Sequence, residues 1–245
     1  MRNIRLLIEY EGTDYAGWQF QPSLPTVQGE LASAVKELTG EDVEVRGASR
    51  TDAGVHASGQ VACFNTTSLI PAFNIRQGLN SYLPKDIIVK DASDAPAEFD
   101  PRRDSRGKVY RYDILNRSYP SALRRNFVWH VFKPLDVGLM REGAAHIIGE
   151  KDFSSFRAAD SDAIHSMREV TSVEIEEKGD GFIEVEVRGT AFLRHMVRIM
   201  VGTLVAVGKG KVLPDKVAAI IEAKERAAAG MTAPPQGLFL IKVEY

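Results

Sequence analysis

The sequence has 245 residues, 44% hydrophobic and 26% charged, with 20 Gly, 11 Pro and a single Cys. Those proportions exclude collagen, coiled coil and wholesale disorder, and the length suits one large domain or two of roughly 100–130 residues. Cys63 alone rules out an intrachain disulfide framework and an all-cysteine zinc site, and points to a reducing compartment. The longest apolar run, Ile199 to Val207, is interrupted by Gly202 and Thr203 and falls short of the roughly 20 residues a membrane span needs. The opening Met1-Arg2-Asn3-Ile4 reads as strand rather than signal-peptide core, so the expectation is a soluble, cytoplasmic protein.

The formal net charge is −2, which argues against a polyanion partner, but its distribution argues for one. Pro101 to Arg125 holds eight basic residues against two acidic ones, and Val187 to Pro214 holds five basic residues and no acid. The rest of the chain is correspondingly acidic, and a molecule polarised in this way can offer one face to a nucleic acid. Charge runs are also ordinary solvated faces, so charge alone does not choose.

In chain order, Ile4, Leu6, Ile8 and Tyr10 alternate as a nearly buried strand that Gly12-Thr13-Asp14 breaks. Thr26 caps a helix whose apolar positions are Val27, Leu31, Val35 and Leu38, ending at Gly40. Strands are expected at Val43–Ala48 and Gln60–Asn65 around a Gly/Ala-rich loop, then a helix over Pro71–Leu83 and a strand at Asp86–Lys90. The second half opens with strands at Val109–Leu115 and Val128–Phe132, and a helix capped by Asp136 that runs to Ile148 with Gly149 as its stop. A hairpin joins Val170–Glu176 to Phe182–Arg188 around Gly179-Asp180-Gly181. Helices over Ala191–Val207 and Asp215–Ala228 and a strand at Leu238–Val243 complete it. Each half therefore reads as a split βαβ unit, giving an α+β fold of two halves, 1–100 and 101–245, with mainly antiparallel sheets around a central basic cleft.

The densest constellation runs from Gly47 to Gln60. It holds Asp52, with Arg50 two residues before and His56 four residues after, on a loop where glycines permit tight turns. A carboxylate held beside an arginine suits a nucleophile or base. The ordinary reading of the same residues is an Asx-type turn, a structural ion pair and a hydrogen-bonded loop histidine. Asp52 and His56 are only two potential ligands, so a metal site is rejected.

The run Arg50-Thr51-Asp52-Ala53-Gly54-Val55-His56-Ala57, with Gly59-Gln60-Val61, resembles the catalytic motif of the tRNA pseudouridine synthase A family. Three more stretches resemble that family in order: Ile8 to Thr13 with Gly17-Trp18-Gln19, Lys108-Val109-Tyr110-Arg111-Tyr112, and Phe192-Leu193-Arg194-His195-Met196-Val197-Arg198. Ser49 stands where glycine is common, and Ala158 to Ser166 lacks a cysteine often found there while holding Asp160, Asp162 and His165.

The resemblance implies isomerisation of uridines 38 to 40 in the anticodon arm of tRNA, without cofactor or metal, by a homodimer whose tRNA touches both subunits. It assigns the essential carboxylate to Asp52. Attack at C1′, stabilisation of a cationic sugar, addition to C6 and a glycal route all stay open. It further implies that Tyr110 stacks on the extruded base, that Arg194 pairs with Asp52, and that Arg198 and Arg50 contact phosphate. His56 is read as helping to position substrate. Arg194 and Arg198, spaced i, i+4, would share a helix face.

A noncatalytic RNA-binding module leaves Arg50-Thr51-Asp52 unexplained, and the chain has no Lys/Arg-Gly-Phe-Gly-Phe-type run. A phosphate loop at Gly202–Lys209 is one residue too long and has Gly210 in place of Ser/Thr. A serine hydrolase lacks Gly-x-Ser-x-Gly. A paralogue acting on other uridines remains the alternative within the family.

Overall fold

Strand β1, Arg2–Tyr10, buries Ile4, Leu6 and Ile8 completely, as its alternation predicts. It lies antiparallel between β3, His56–Thr66, and β4, Ile87–Ala95, with Leu6 opposite Ala62 on one side and Ala92 on the other. The closing strand β10, Leu238–Glu244, runs parallel to β3, with Phe239 opposite His56 and Leu240 opposite Ala57. Helices α1, Val27–Thr39, and α2, Ala72–Tyr82, supply Val27, Leu31, Val35, Ile75 and Leu79 to the core. The Thr26 hydroxyl accepts from the Gly29 N–H, and Gly40 ends α1 at φ 75°, both as the capping pattern predicts.

The computed structural model describes residues 1–159 and 164–245. It divides into two units, Met1–Arg106 with Phe239–Tyr245, and Gly107–Leu238. The division expected at residue 100 thus moves to Arg106, and the last strand joins the first unit. Pairing in the fold, not proximity in sequence, decides this: β10 is bound to β3, the Arg106 N–H donates to Glu244 O at 2.7 Å, and the Tyr245 hydroxyl donates to Pro101 O at 2.9 Å.

In the second unit β5, Gly107–Leu115, pairs antiparallel with β9, Phe182–Gly189, which pairs with β8, Met167–Gly179, and β8 with β7, Gly149–Asp152. Asp180 at φ 49° and Gly181 at φ 76° form the two-residue hairpin turn between β8 and β9, the geometry that Asp-Gly favours. Helices α3, Val137–Ala145, and α4, Met196–Gly208, pack on one another, and α5, Lys216–Ala223, follows. The α+β class with mainly antiparallel sheets stands.

Several expected bounds shift. The strand at Val43–Ala48 contracts to β2, Arg46–Gly47, because the Val45 carbonyl is taken by the Gln28 side chain at 2.7 Å. That at Val128–Phe132 contracts to β6, Trp129–His130. Helix α3 stops at Ala145, short of Ile148: the His146 and Ile147 N–H groups donate only three residues back, to Gly143 O and Ala144 O, and Gly149 at φ 109° opens β7. The helix expected from Ala191 begins only at Met196. His195 adopts φ 63°, and the Arg194 carbonyl accepts from the Ala158 N–H at 3.1 Å, so Arg194 stands outside α4 and shares no helical face with Arg198. Helix α5 ends at Ala223, where Lys224 turns left-handed. Gly202 lies within α4 rather than in a phosphate loop, and a Cβ there would fall 1.8 Å from Met231 O. It is a packing glycine. Asp160 and Asp162 lie outside the described residues.

Candidate active site

Asp52 sits half-buried on the loop that enters β3, between buried Thr51 and Val55. The loop closes on itself through the Val55 N–H, which donates to Asp52 O at 3.1 Å. Its first limb is fixed by Gln60, whose side chain donates to Ser49 O at 2.7 Å and accepts from the Ser49 N–H at 3.3 Å. Both bonds use only the backbone of residue 49, so a serine there fulfils them as well as a glycine would.

A second segment, Tyr10 to Trp18, braces the loop from below. The Tyr10 and Thr51 hydroxyls are 2.7 Å apart, the Trp18 N–H donates to Thr51 O at 3.0 Å, and the Gly54 N–H donates to Tyr15 O at 3.4 Å. The Gly12 N–H donates to His56 Nδ1 at 2.9 Å. The two backbones approach so closely that only glycine fits. A Cβ on Gly12 would fall 2.0 Å from Val55 O, and one on Gly17, at φ 103°, would fall 2.5 Å from Thr51 O. Gly47 likewise makes room for the Trp18 ring. The bracing role of the Tyr10–Trp18 segment is not predicted from sequence; the signal for it is two glycines, Gly12 and Gly17, and Trp18 following a buried strand.

His56 is only 1% exposed, and its ring stacks on Phe239 at 4.8 Å with 25° between planes. Arg50, in contrast, is exposed. In this unit the sequence-predicted residues Arg50, Asp52 and His56 therefore divide into an exposed cation, a braced carboxylate and a core imidazole.

In the second unit Tyr110 lies on β5 opposite Val187, 6% exposed, and meets the Phe192 ring edge-to-face at 5.3 Å. Phe192 finds space over Gly189, where a Cβ would come within 3.0 Å of its ring. Tyr112 shares the Tyr110 face of the strand but is wholly buried, donating its hydroxyl to Pro234 O at 2.7 Å, and burial pushes its ionisation up. It is a core tyrosine. Arg194 is exposed; Arg198 is half-buried, and its Nε donates to Ala233 O at 2.8 Å while its own carbonyl accepts from the Ala233 N–H at 3.0 Å. Arg198 thereby holds the 230–234 segment against α4. Among the described residues, no three His, Cys, Asp or Glu side chains gather as a metal site requires.

A family model described as tRNA pseudouridine synthase matches residues 6–102 and 144–245. Proteins called tRNA pseudouridine synthase A are similar over the whole chain: one from Myxococcus xanthus at 51% identity, covering 100% of this chain and 92% of that one. Others come from Geobacter sulfurreducens at 48% and Thermoanaerobacter sp. (strain X514) at 47%, each covering 100% of both chains. A chain of a solved Cbf5-Nop10-Gar1 complex aligns with 96% of this chain and 57% of its own length, at 11% identity and a TM-score of 0.36, and adds nothing to these. With a braced Arg50-Thr51-Asp52 loop and full-length similarity on this scale, the chain belongs to the tRNA pseudouridine synthase family.

Proposed function

We propose that this enzyme converts uridine to pseudouridine at positions 38 to 40 of the tRNA anticodon stem-loop, with Asp52 as its catalytic carboxylate. The bracing of the Asp52 loop carries this reading: two segments of backbone are locked together around one half-buried carboxylate. The reaction breaks the bond from ribose C1′ to N1 and forms one from C1′ to C5, while the C5 hydrogen leaves as a proton and N1 gains one. Oxidation state is unchanged, so the chemistry calls for no redox cofactor. A carboxylate can assist departure of the base by attack at C1′ or by stabilising a cationic sugar.

A stacked uridine must leave its helix first, at a cost of a few kcal/mol. Tyr110 is proposed to stack on the extruded base, with Phe192 holding its ring. Arg194 is proposed to pair with Asp52 and exposed Arg50 to meet the RNA backbone, a role that suits Arg198 less because its Nε donates to Ala233 O. The protein is proposed to work in the cytoplasm as a homodimer. The test is to map pseudouridine in tRNA transcripts carrying uridine at 38, 39 or 40 in turn. Modification confined to those positions supports the assignment, and modification elsewhere in the tRNA overturns it.

A further inference from the structure

We infer that His56 is a positioning residue for Asp52, acting as a neutral hydrogen-bond acceptor that locks the catalytic loop to the turn after β1. The inference rests on the reading of Asp52 as the catalytic carboxylate. Its starting point is the bond between the Gly12 N–H and His56 Nδ1, 2.9 Å long. A backbone N–H can only donate, so Nδ1 must be the acceptor and carries no proton. The ring therefore uses its Nε2–H tautomer, with its plane set by stacking on Phe239. At 1% exposure, His56 is sealed within the fold rather than offered to RNA.

The consequence reaches Asp52 through a short path. His56 is the first residue of β3, and Val55 before it closes the Asp52 turn by donating to Asp52 O at 3.1 Å. On the facing side, Gly12 stands where a Cβ would fall 2.0 Å from Val55 O. The Gly12–His56 bond thus clips the two backbones together at their closest approach. If the clip opens, the base of the Asp52 turn loses its reference to β1, while the RNA-facing surface is untouched. A displacement of about 1 Å in a catalytic group can cost up to about a hundredfold in rate.

The experiment compares His56→Leu, which fills the space but accepts nothing, with His56→Asn, whose Oδ1 falls near the place of Nδ1 and accepts. Single-turnover rate and tRNA affinity are measured for each, with Asp52→Ala alongside. The expected result is a rate loss of about tenfold or more in H56L with tRNA affinity within about twofold, and recovery of most of that rate in H56N. A histidine that merely fills the core would lose no rate in folded H56L, or would be no better replaced by Asn than by Leu. Either result overturns the inference.

Should H56L not fold, the imidazole 15N shifts of the wild-type protein decide. An unprotonated Nδ1 with protonated Nε2 supports the lock, and a proton on Nδ1 overturns it. Wild-type turnover by Asp52→Ala would instead sink the assignment of Asp52, whatever His56 does.

Discussion

At the scale of single residues, Gly17 offers a sharp contrast with Gly40. Both are left-handed, at φ 103° and 75°, but a Cβ at Gly17 meets Thr51 O at 2.5 Å and Asp52 C at 3.1 Å, whereas one at Gly40 meets nothing within 4 Å. Gly40→Ala should cost about 1 kcal/mol of stability through backbone strain and leave turnover alone. Gly17→Ala should cost more, about 2–3 kcal/mol, and, with Asp52 as the proposed catalytic carboxylate, slow turnover at 25 °C by about tenfold or more, because the clash lies against the Asp52 loop. Thermal melts and single-turnover rates check both; equal rate effects at the two glycines would contradict the bracing argument.

Asp52 stood out at this scale only through the resemblance of the contiguous run from Arg50 to Ala57 to a family motif; its spacing to Arg50 and His56 fits an Asx-type turn equally well. The role of His56 was not legible, because its partner Gly12 is 44 residues away and no spacing rule announces it.

At the scale of elements, the features visible in sequence were those made by neighbours along the chain. The Thr26 and Asp136 caps, the Gly40 stop and the Asp180-Gly181 turn each depend on residues within four positions. What escaped was set from far away: β3 starts at His56 because Phe239 of β10 pairs with it there, and α4 starts late because His195 turns left-handed while Ala158 takes the Arg194 carbonyl.

Strand β5 also carries a testable electrostatic cost. Burial pushes the Asp113 carboxyl from its ordinary 3.8 up to about 6, with the Arg111 guanidinium 2.9 Å away pulling it back and Glu184 on β9 raising it further. The folded protein then holds this proton more tightly than the unfolded chain. The stability it contributes is full below the unfolded value and is lost as pH rises through about 6. Asp113→Asn should therefore be more stable than wild type at pH 8 by about 1–3 kcal/mol, with that advantage fading toward pH 4. Denaturant melts at both pH values check this; an advantage that does not change with pH would contradict it.

For the whole molecule, the question is whether a chain of net charge −2 can hold a polyanion. The structure tempers the two basic stretches, since Arg111, Arg117 and Arg188 are paired with Asp113, Asp180 and Glu186. Arg50, Arg102, Arg125, Arg194 and Lys211 are exposed. If about three to five such cations meet phosphate, log affinity for tRNA should fall against log salt with a slope of about −2 to −4. Filter binding across ~50–200 mM salt measures it, and a flat response would contradict binding through the backbone.

Asp52 carries the proposed reaction, and tritium release from tRNA labelled at C5 of uridine reads its chemistry directly. Wild type should release tritium, and Asp52→Ala should release none while melting and binding tRNA within about twofold of wild type. Release by Asp52→Ala at the wild-type rate would contradict the account.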